Sequence, residues 1–233
     1  MAKYKNIGGT TVGFRSGTED YPYGTSGNGA EGSIYYNSSN GQFEFVGTAT
    51  GAWSTGGTMN TGRTSSTGTG SSSSDHIIAG GYYLPPSVDR SATETYNGTS
   101  WTEVADCPAD LTYGNGLGTG TASLLCGYAR PGPAPGGFGP TTNSHLWNGS
   151  AWSDTNSMNT FRQFGGTAGS TTAGLVFGGS GPPAQKINES WDGTSWTETT
   201  DMNTAKTDIG GGCGTQTAAL SASGLPATTE VWD

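Results

Sequence analysis

Few side chains in this sequence could do chemistry. Among 233 residues there are nine Lys and Arg, two His and three Cys. His76 and His145 have no Cys, His or carboxylate at metal-ligand spacing beside them. Cys107, Cys126 and Cys213 form no CxxC and cannot all pair, so they read as free buried thiols. No Gly-x-Ser-x-Gly turn is present, and neither histidine is placed to serve a serine as base. Acid pairs such as Asp106/Asp110 and Glu198/Asp201 could act on a glycosidic bond, but they fall at expected strand exits, where solvated charge belongs. The expectation is a chain with no catalytic residue, no metal and no cofactor.

Three cations stand apart because their spacing is shared. Trp53, Trp101, Trp152 and Trp196 are separated by 48, 51 and 44 residues. Six positions after each Trp come Met59, Cys107, Met158 and Met202, and ten positions after come Arg63, Leu111, Arg162 and Lys206. If the residues after each cation form the innermost strand of a repeated sheet, Arg63, Arg162 and Lys206 gather around one mouth of a central channel. Loops carrying Tyr82, Tyr83, Tyr128, Arg130 and Phe138 would rim that mouth. Cations with exposed aromatics suit an acidic sugar or a protein carboxylate, since Arg binds carboxylates bidentately. The competing reading gives these cations a structural task, satisfying backbone carbonyls between repeats.

The elements that must position these residues follow from the repeat. Thr95-Tyr96-Asn97-Gly98-Thr99-Ser100-Trp101-Thr102 returns as Leu146-Trp147-Asn148-Gly149-Ser150-Ala151-Trp152-Ser153 and as Ser190-Trp191-Asp192-Gly193-Thr194-Ser195-Trp196-Thr197. Each copy reads as strand, tight Asn-Gly or Asp-Gly turn, strand. An apolar run ending in Gly precedes each hairpin, as in Ile77 to Gly81, Leu124 to Gly127 and Leu175 to Gly179, and Pro-rich insertions fall at one place in the unit. One unit thus holds four short strands, about 162–170, 172–179, 186–191 and 195–200 in the third copy. Repetition of such a meander is the sequence form of a β-propeller blade.

Strand-ending aromatics at Tyr96, Trp147, Trp191 and Trp232, with strand-opening Trp at 53, 101, 152 and 196, predict a four-bladed propeller over 51–233. Its simplest closure makes Trp53 and its neighbours the outer strand of the last blade, removing an exposed edge. The rival pairing sets Gln42–Val46 beside Trp53 and leaves Thr228–Asp233 free for another subunit. Residues 32–50 read as a β-hairpin connector, and residues 1–31, rich in Gly and Tyr without sustained period, as an extended N-terminal arm.

Composition excludes several functions. The formal charge is −9, which argues against nucleic acid and anionic membranes. Forty-two Gly and 12% charged residues, against about 25% in an average globular chain, accompany 7 Trp, 10 Tyr and 7 Phe, enough aromatics to build a core. The start of the chain has no apolar signal region, and no window spans a membrane, so folding in a cytoplasm is expected. The sequons at Asn37, Asn97, Asn148 and Asn188 read as turn and strand-edge chemistry rather than glycosylation sites.

The paired Gly after the second strand, the aromatic ending the third and the Trp opening the fourth resemble the kelch motif over residues 50–233. The variant Tyr/Trp-Asn-Gly-Thr-Ser-Trp-Thr-Glu followed by Met-Asn-Thr is similar to kelch-like repeats in structural proteins of tailed phages, particularly those of marine bacteria. With the count of aromatics, the repeat is read as an all-β, four-bladed kelch-like β-propeller closed by an N-terminal strand, and the resemblance implies a virion component near the tail, fibre or neck, expected to be non-enzymatic and assembled in the host cytoplasm. It also implies partners: other virion proteins through the arm, a host-surface glycan at the loop face, and further copies of the chain in a homo-oligomer. A soluble propeller lectin without a virion role is the alternative.

Overall fold

The computed structural model describes residues 53–82, 91–131, 138–181, 185–209, 211–222 and 224–233, together with strands at 34–37 and 42–45. The expected arm, residues 1–31, and Tyr83 lie outside the described residues. The chain divides into two compact units, Met1–Thr55 and Gly56–Asp233. In the first, β1 (Ile34–Asn37) pairs antiparallel with β2 (Gln42–Phe45), Ile34 opposite Phe45 and Asn37 opposite Gln42, the hairpin that the Asn-rich turn predicts.

The second unit is all strand, and its sheets repeat. The first blade is β3 (Thr67–Ser72), β4 (Asp75–Ala79), β5 (Thr93–Tyr96) and β6 (Trp101–Val104). The next begins with β7 (Asn115–Gly118) and β8 (Ser123–Cys126), is interrupted by a small hairpin of β9 (Ala129–Pro131) and β10 (Phe138–Pro140), and finishes with β11 (Ser144–Trp147) and β12 (Trp152–Thr155). The third blade is β13 (Gly166–Gly169), β14 (Gly174–Phe177), β15 (Asn188–Trp191) and β16 (Trp196–Glu198). The last has three strands among the described residues, β17 (Gly211–Thr215), β18 (Ala218–Ala222) and β19 (Glu230–Trp232).

Local chemistry accounts for the outer hairpins. Asn97, Asn148 and Asp192 each accept, through Oδ1, the backbone N–H groups two and three residues on, at 2.7–3.0 Å. Gly98, Gly149 and Gly193 follow at φ of +93° to +95°, where a Cβ would be strained. Across each turn two aromatic rings meet, Tyr96 with Trp101, Trp147 with Trp152 and Trp191 with Trp196, at centroid distances of 5.0, 5.3 and 5.1 Å. The sequon Asn97 and Asn148 side chains are therefore turn-forming groups.

The blades form a ring. Ser65 O accepts from the N–H of Tyr113, Tyr113 O from Phe164, and Phe164 O from Ile209, so a relay of backbone bonds runs from blade to blade. The four inner strands, β3, β7, β13 and β17, line one axial cavity of about 380 Å³. Glycines permit that convergence: a Cβ on Gly116 would stand 2.7 Å from the Thr69 methyl, and one on Gly212 2.6 Å from the Thr167 nitrogen. Between blades the core is apolar. One cluster joins Leu117, Leu124, Met158, Val176, Trp191 and Trp196, and others centre on Leu111, Leu125 and Tyr128 and on Leu175, Phe177 and Met202.

The edge of the last blade departs from expectation. Trp53, expected as its outer strand, belongs to no strand and is fully exposed. The other outer strands are held in register by a covalent turn from the strand beside them, whereas a strand opening at Trp53 would have no such turn to pin it.

Candidate functional site in the second blade

In three of the four blades the linker that enters the sheet folds over its third strand, and a carboxylate on that strand receives it, fully buried in the first and third blades and partly buried in the last. In the third blade this carboxylate is Glu189. It accepts from the backbone N–H groups of Asn159 at 2.7 Å and Thr160 at 3.1 Å, and from Arg162 Nη2 at 2.7 Å. Both side chains of the Arg162–Glu189 pair are 0% exposed, and Arg162 Nη1 also donates to the carbonyls of Ile187 and Gly178. The first blade repeats the arrangement with Asn60, Thr61, Arg63 and Glu94, Arg63 reaching the Gly80 and Ala92 carbonyls. Burial pushes the Glu94 carboxyl up, but these N–H groups and the guanidinium outweigh it and hold the group below its ordinary value. In the last blade Glu230 takes the N–H groups of Asn203 and Thr204, while Lys206 Nζ donates to the Thr228 carbonyl and to Ser221 Oγ.

These contacts place the three cations expected at the channel mouth. Arg63, Arg162 and Lys206 do not converge on the axis: each is buried in its own blade, bonded to carbonyls and, for the arginines, to a carboxylate. The axial cavity is lined instead by residues such as Gly68, Gly116, Thr167 and Gly212. Spacing fixed the blade position of each cation correctly but not its direction, and a charge pointing into a sheet end finds backbone acceptors there. Tyr82 is half-buried, bridging to Thr64. The backbone of Phe138 lies in β10, and its side chain is outside the described residues. Tyr113 and Phe164, whose rings stack at 4.5 Å, occupy equivalent positions after the sites of Leu111 and Arg162 and were not singled out by the repeat.

The second blade lacks the carboxylate node. Pro108 stands where the others have Asn and has no N–H to give, Ala109 replaces Thr, Leu111 replaces the cation and His145 replaces Glu. Tyr128 stands where the first and third blades have Gly81 and Gly179. The substitutions fit one another. His145 Nδ1 lies 2.8 Å from Asp154 Oδ1, and its Nε2 lies 2.8 Å from the hydroxyl of the buried Tyr128. Since a carboxylate only accepts, Nδ1 carries the proton and Nε2 accepts from Tyr128. Burial pushes the His145 pKa down, with Asp154 opposing, and burial pushes the Tyr128 phenol up, so the neutral forms of both are favoured.

Opening the node leaves a cavity of about 410 Å³ bounded by Pro108, Arg130, Asn143, His145, Asp154 and Ser157 among others. Its walls are polar. Arg130 is exposed, and the Asp154 side chain is 77% exposed, so both a cation and a carboxylate face solvent at this site. With acceptor, donor and amide groups of balanced charge, the pocket suits a neutral hydroxyl-rich ligand better than an anion. The relay from Asp154 through His145 ends in a hydroxyl shut inside the protein, which supplies no nucleophile to a substrate. Cys107 and Cys126 are buried, and burial pushes the Cys107 thiol up to about 12. Among the described residues no group of three or more His, Cys, Asp or Glu is placed to hold a metal.

Sequence reasoning named Tyr128 and Arg130 for the loop face, weighed His145 only as a metal ligand or a serine's base, and did not name Asp154. Aligning the third strands on their aromatics would have found them, because His145 then stands alone in a column of Glu94, Glu189 and Glu230. No protein-family model matches the chain, and neither does any curated protein sequence.

Proposed function

We propose that this protein is a non-enzymatic attachment component of a tailed-phage particle, and that its second blade binds a glycan of the host surface. The observation that carries the binding half is the replacement of the carboxylate node, present in three blades and fully buried in two, by an open polar pocket in one. A repeat keeps what its packing requires, and the single copy that gives up the carboxylate, the cation and one backbone N–H has its surface freed for a ligand. The virion half rests on the resemblance of the Asn-Gly-Thr-Ser-Trp repeat to phage structural proteins. Arg130 and Asn143 offer donors and Asp154 offers acceptors to sugar hydroxyls, while His145 is held in one tautomer behind them.

A glycan array probed with the full chain, followed by calorimetry on the best hit, tests the pocket. Arg130→Ala and Asp154→Ala should each weaken binding at least about tenfold, the size expected for removing a charged hydrogen-bonding partner. Unchanged affinity in both variants, or no binding to any glycan, would overturn the assignment. Mass spectrometry of purified particles tests the virion half separately, and glycan binding by a chain absent from particles would instead identify a free lectin.

A further inference from the structure

One position of the repeat holds a strained backbone in every blade. Two residues after Arg63, Leu111, Arg162 and Lys206 come Ser65, Tyr113, Phe164 and Asp208, all with φ between +51° and +58°. Among the described residues every other positive φ belongs to a glycine, whereas this position carries a side chain four times over, against the steric preference. The relay of backbone bonds from blade to blade runs through these residues, so they stand together around one mouth of the axis. Tyr113 and Phe164 are half-buried with their rings 4.5 Å apart, and Asp208, next to the Ile209 that bonds Phe164, is exposed.

Behind this lip lies a cavity of about 300 Å³, bounded by Ser66, Thr67, Gly114, Asn115, Gly165 and Ile209 among others, with no charged side chain in its described walls. Each inner strand bonds a strand on one edge only, which leaves N–H and C=O groups of the other edge toward the axis. Asn115 closes the joint between the second and third blades. Its Nδ2 donates to the carbonyls of Cys126 and Gly127 at 3.1 and 2.7 Å, and its Oδ1 accepts from the Gly165 N–H at 2.6 Å. Thr67 holds the same place in the first blade, opposite Ala79 as Asn115 is opposite Cys126. It is 4% exposed, and its Oγ1 has no hydrogen-bond partner among the described residues. That hydroxyl is turned toward Gly114, where an added Cβ would stand 2.6 Å from it, and both residues line the cavity.

We propose that this mouth and the cavity behind it bind one neutral sugar ring, at a site that shares no residue with the pocket of the second blade. The C–H face of the sugar rests on Tyr113 and Phe164, Asp208 accepts from one hydroxyl at the lip, and a second hydroxyl reaches Thr67 Oγ1. Walls that offer both N–H and C=O groups call for a ligand that accepts as well as donates, which a hydroxyl does and an ammonium ion does not. An anion would meet Asp208 with no cation to offset it, because Arg63, Arg162 and Lys206 turn into their own blades.

The test uses the full chain carrying Arg130→Ala and Asp154→Ala, which disable the second-blade pocket, so failure here is separate from failure there. Amide NMR spectra are followed as neutral methyl hexopyranosides are added, with tetramethylammonium and acetate as charged probes. At least one sugar should give saturable shifts at Gly114, Gly116 and Gly165, and neither ion should. Tyr113→Ala, Thr67→Val and Asp208→Gly should each weaken that sugar about tenfold. Asp208→Gly also controls for folding: glycine takes this φ without strain, so the melting temperature should match or exceed the parent's. No saturable shift with any sugar, binding of either ion as tight as any sugar, or unchanged affinity in the Asp208→Gly and Thr67→Val variants would overturn the proposal.

Discussion

The second and third blades share register, turn and indole pair, yet at the base of the third strand one holds Glu189 against Arg162 and the other holds His145 against Tyr128. In the third blade the charges are wholly enclosed, and every oxygen of Glu189 is engaged by the chain that crosses it. In the second, the ionic part has moved outward to Asp154 and Arg130, and the enclosed part is neutral. The difference separates two uses of polarity in one fold: a closed node fixes how a blade meets the linker above it, while an opened node leaves groups at the surface for something else to bind.

The comparison breaks most readily at Glu189. Glu189→Ala leaves Arg162 buried without its counter-charge and should cost about 3–5 kcal/mol in urea unfolding, whereas His145→Ala, which removes one partner of the Tyr128 hydroxyl and leaves Asn143, should cost about 1–3 kcal/mol. Equal losses would mean the two sites do the same structural work. A finer probe transplants the pair. Leu111→Arg should be strongly destabilising alone, and adding His145→Glu should recover roughly 1–3 kcal/mol of coupling, but not the native value, because Pro108 still has no N–H for the carboxylate. Acid should also distinguish them. The folded state holds His145 below its ordinary 6.5, so stability present above that pH is lost as pH falls through it and the unfolded chain takes up the proton. His76 is lowered in the same way by burial, so His145→Gln should flatten the decline of the melting temperature below pH 6.5 without abolishing it. The smallest effect belongs to Asp154→Asn, which at an exposed position should change stability by less than about 1 kcal/mol while weakening any ligand of the pocket.

Much of the architecture was legible because it depends on short-range chemistry. Asn-Gly and Asp-Gly turns flanked by aromatics can close in only one register, and three such hairpins, with the strand-ending Trp232 as the fourth aromatic of the series, count the blades. Arg63, Arg162 and Lys206 were placed at the correct point of the repeat, but sequence spacing says nothing about whether a long side chain turns toward an axis or back under its own sheet. The answer depends on carbonyls such as Ala92 O and Ile187 O, contributed by residues 25–29 positions away. The candidate pocket was half legible: Tyr128 and Arg130 stood out as loop residues, whereas His145 gains meaning only when its column is compared with Glu94, Glu189 and Glu230. Trp53 shows the opposite limit, since a correct match of motif does not by itself supply the turn that fixes a strand.

The absent side chains along the axis set how many blades the ring can hold. Where Gly116 and Gly212 face a neighbouring strand there is no room for a single added carbon, so each wedge tapers to bare backbone at its tip. Four wedges must each sweep a quarter of a circle, which only so narrow a tip allows. Alanine at these places would force the tips apart and favour a wider circle, so the glycines act as the gauge by which this sequence counts to four.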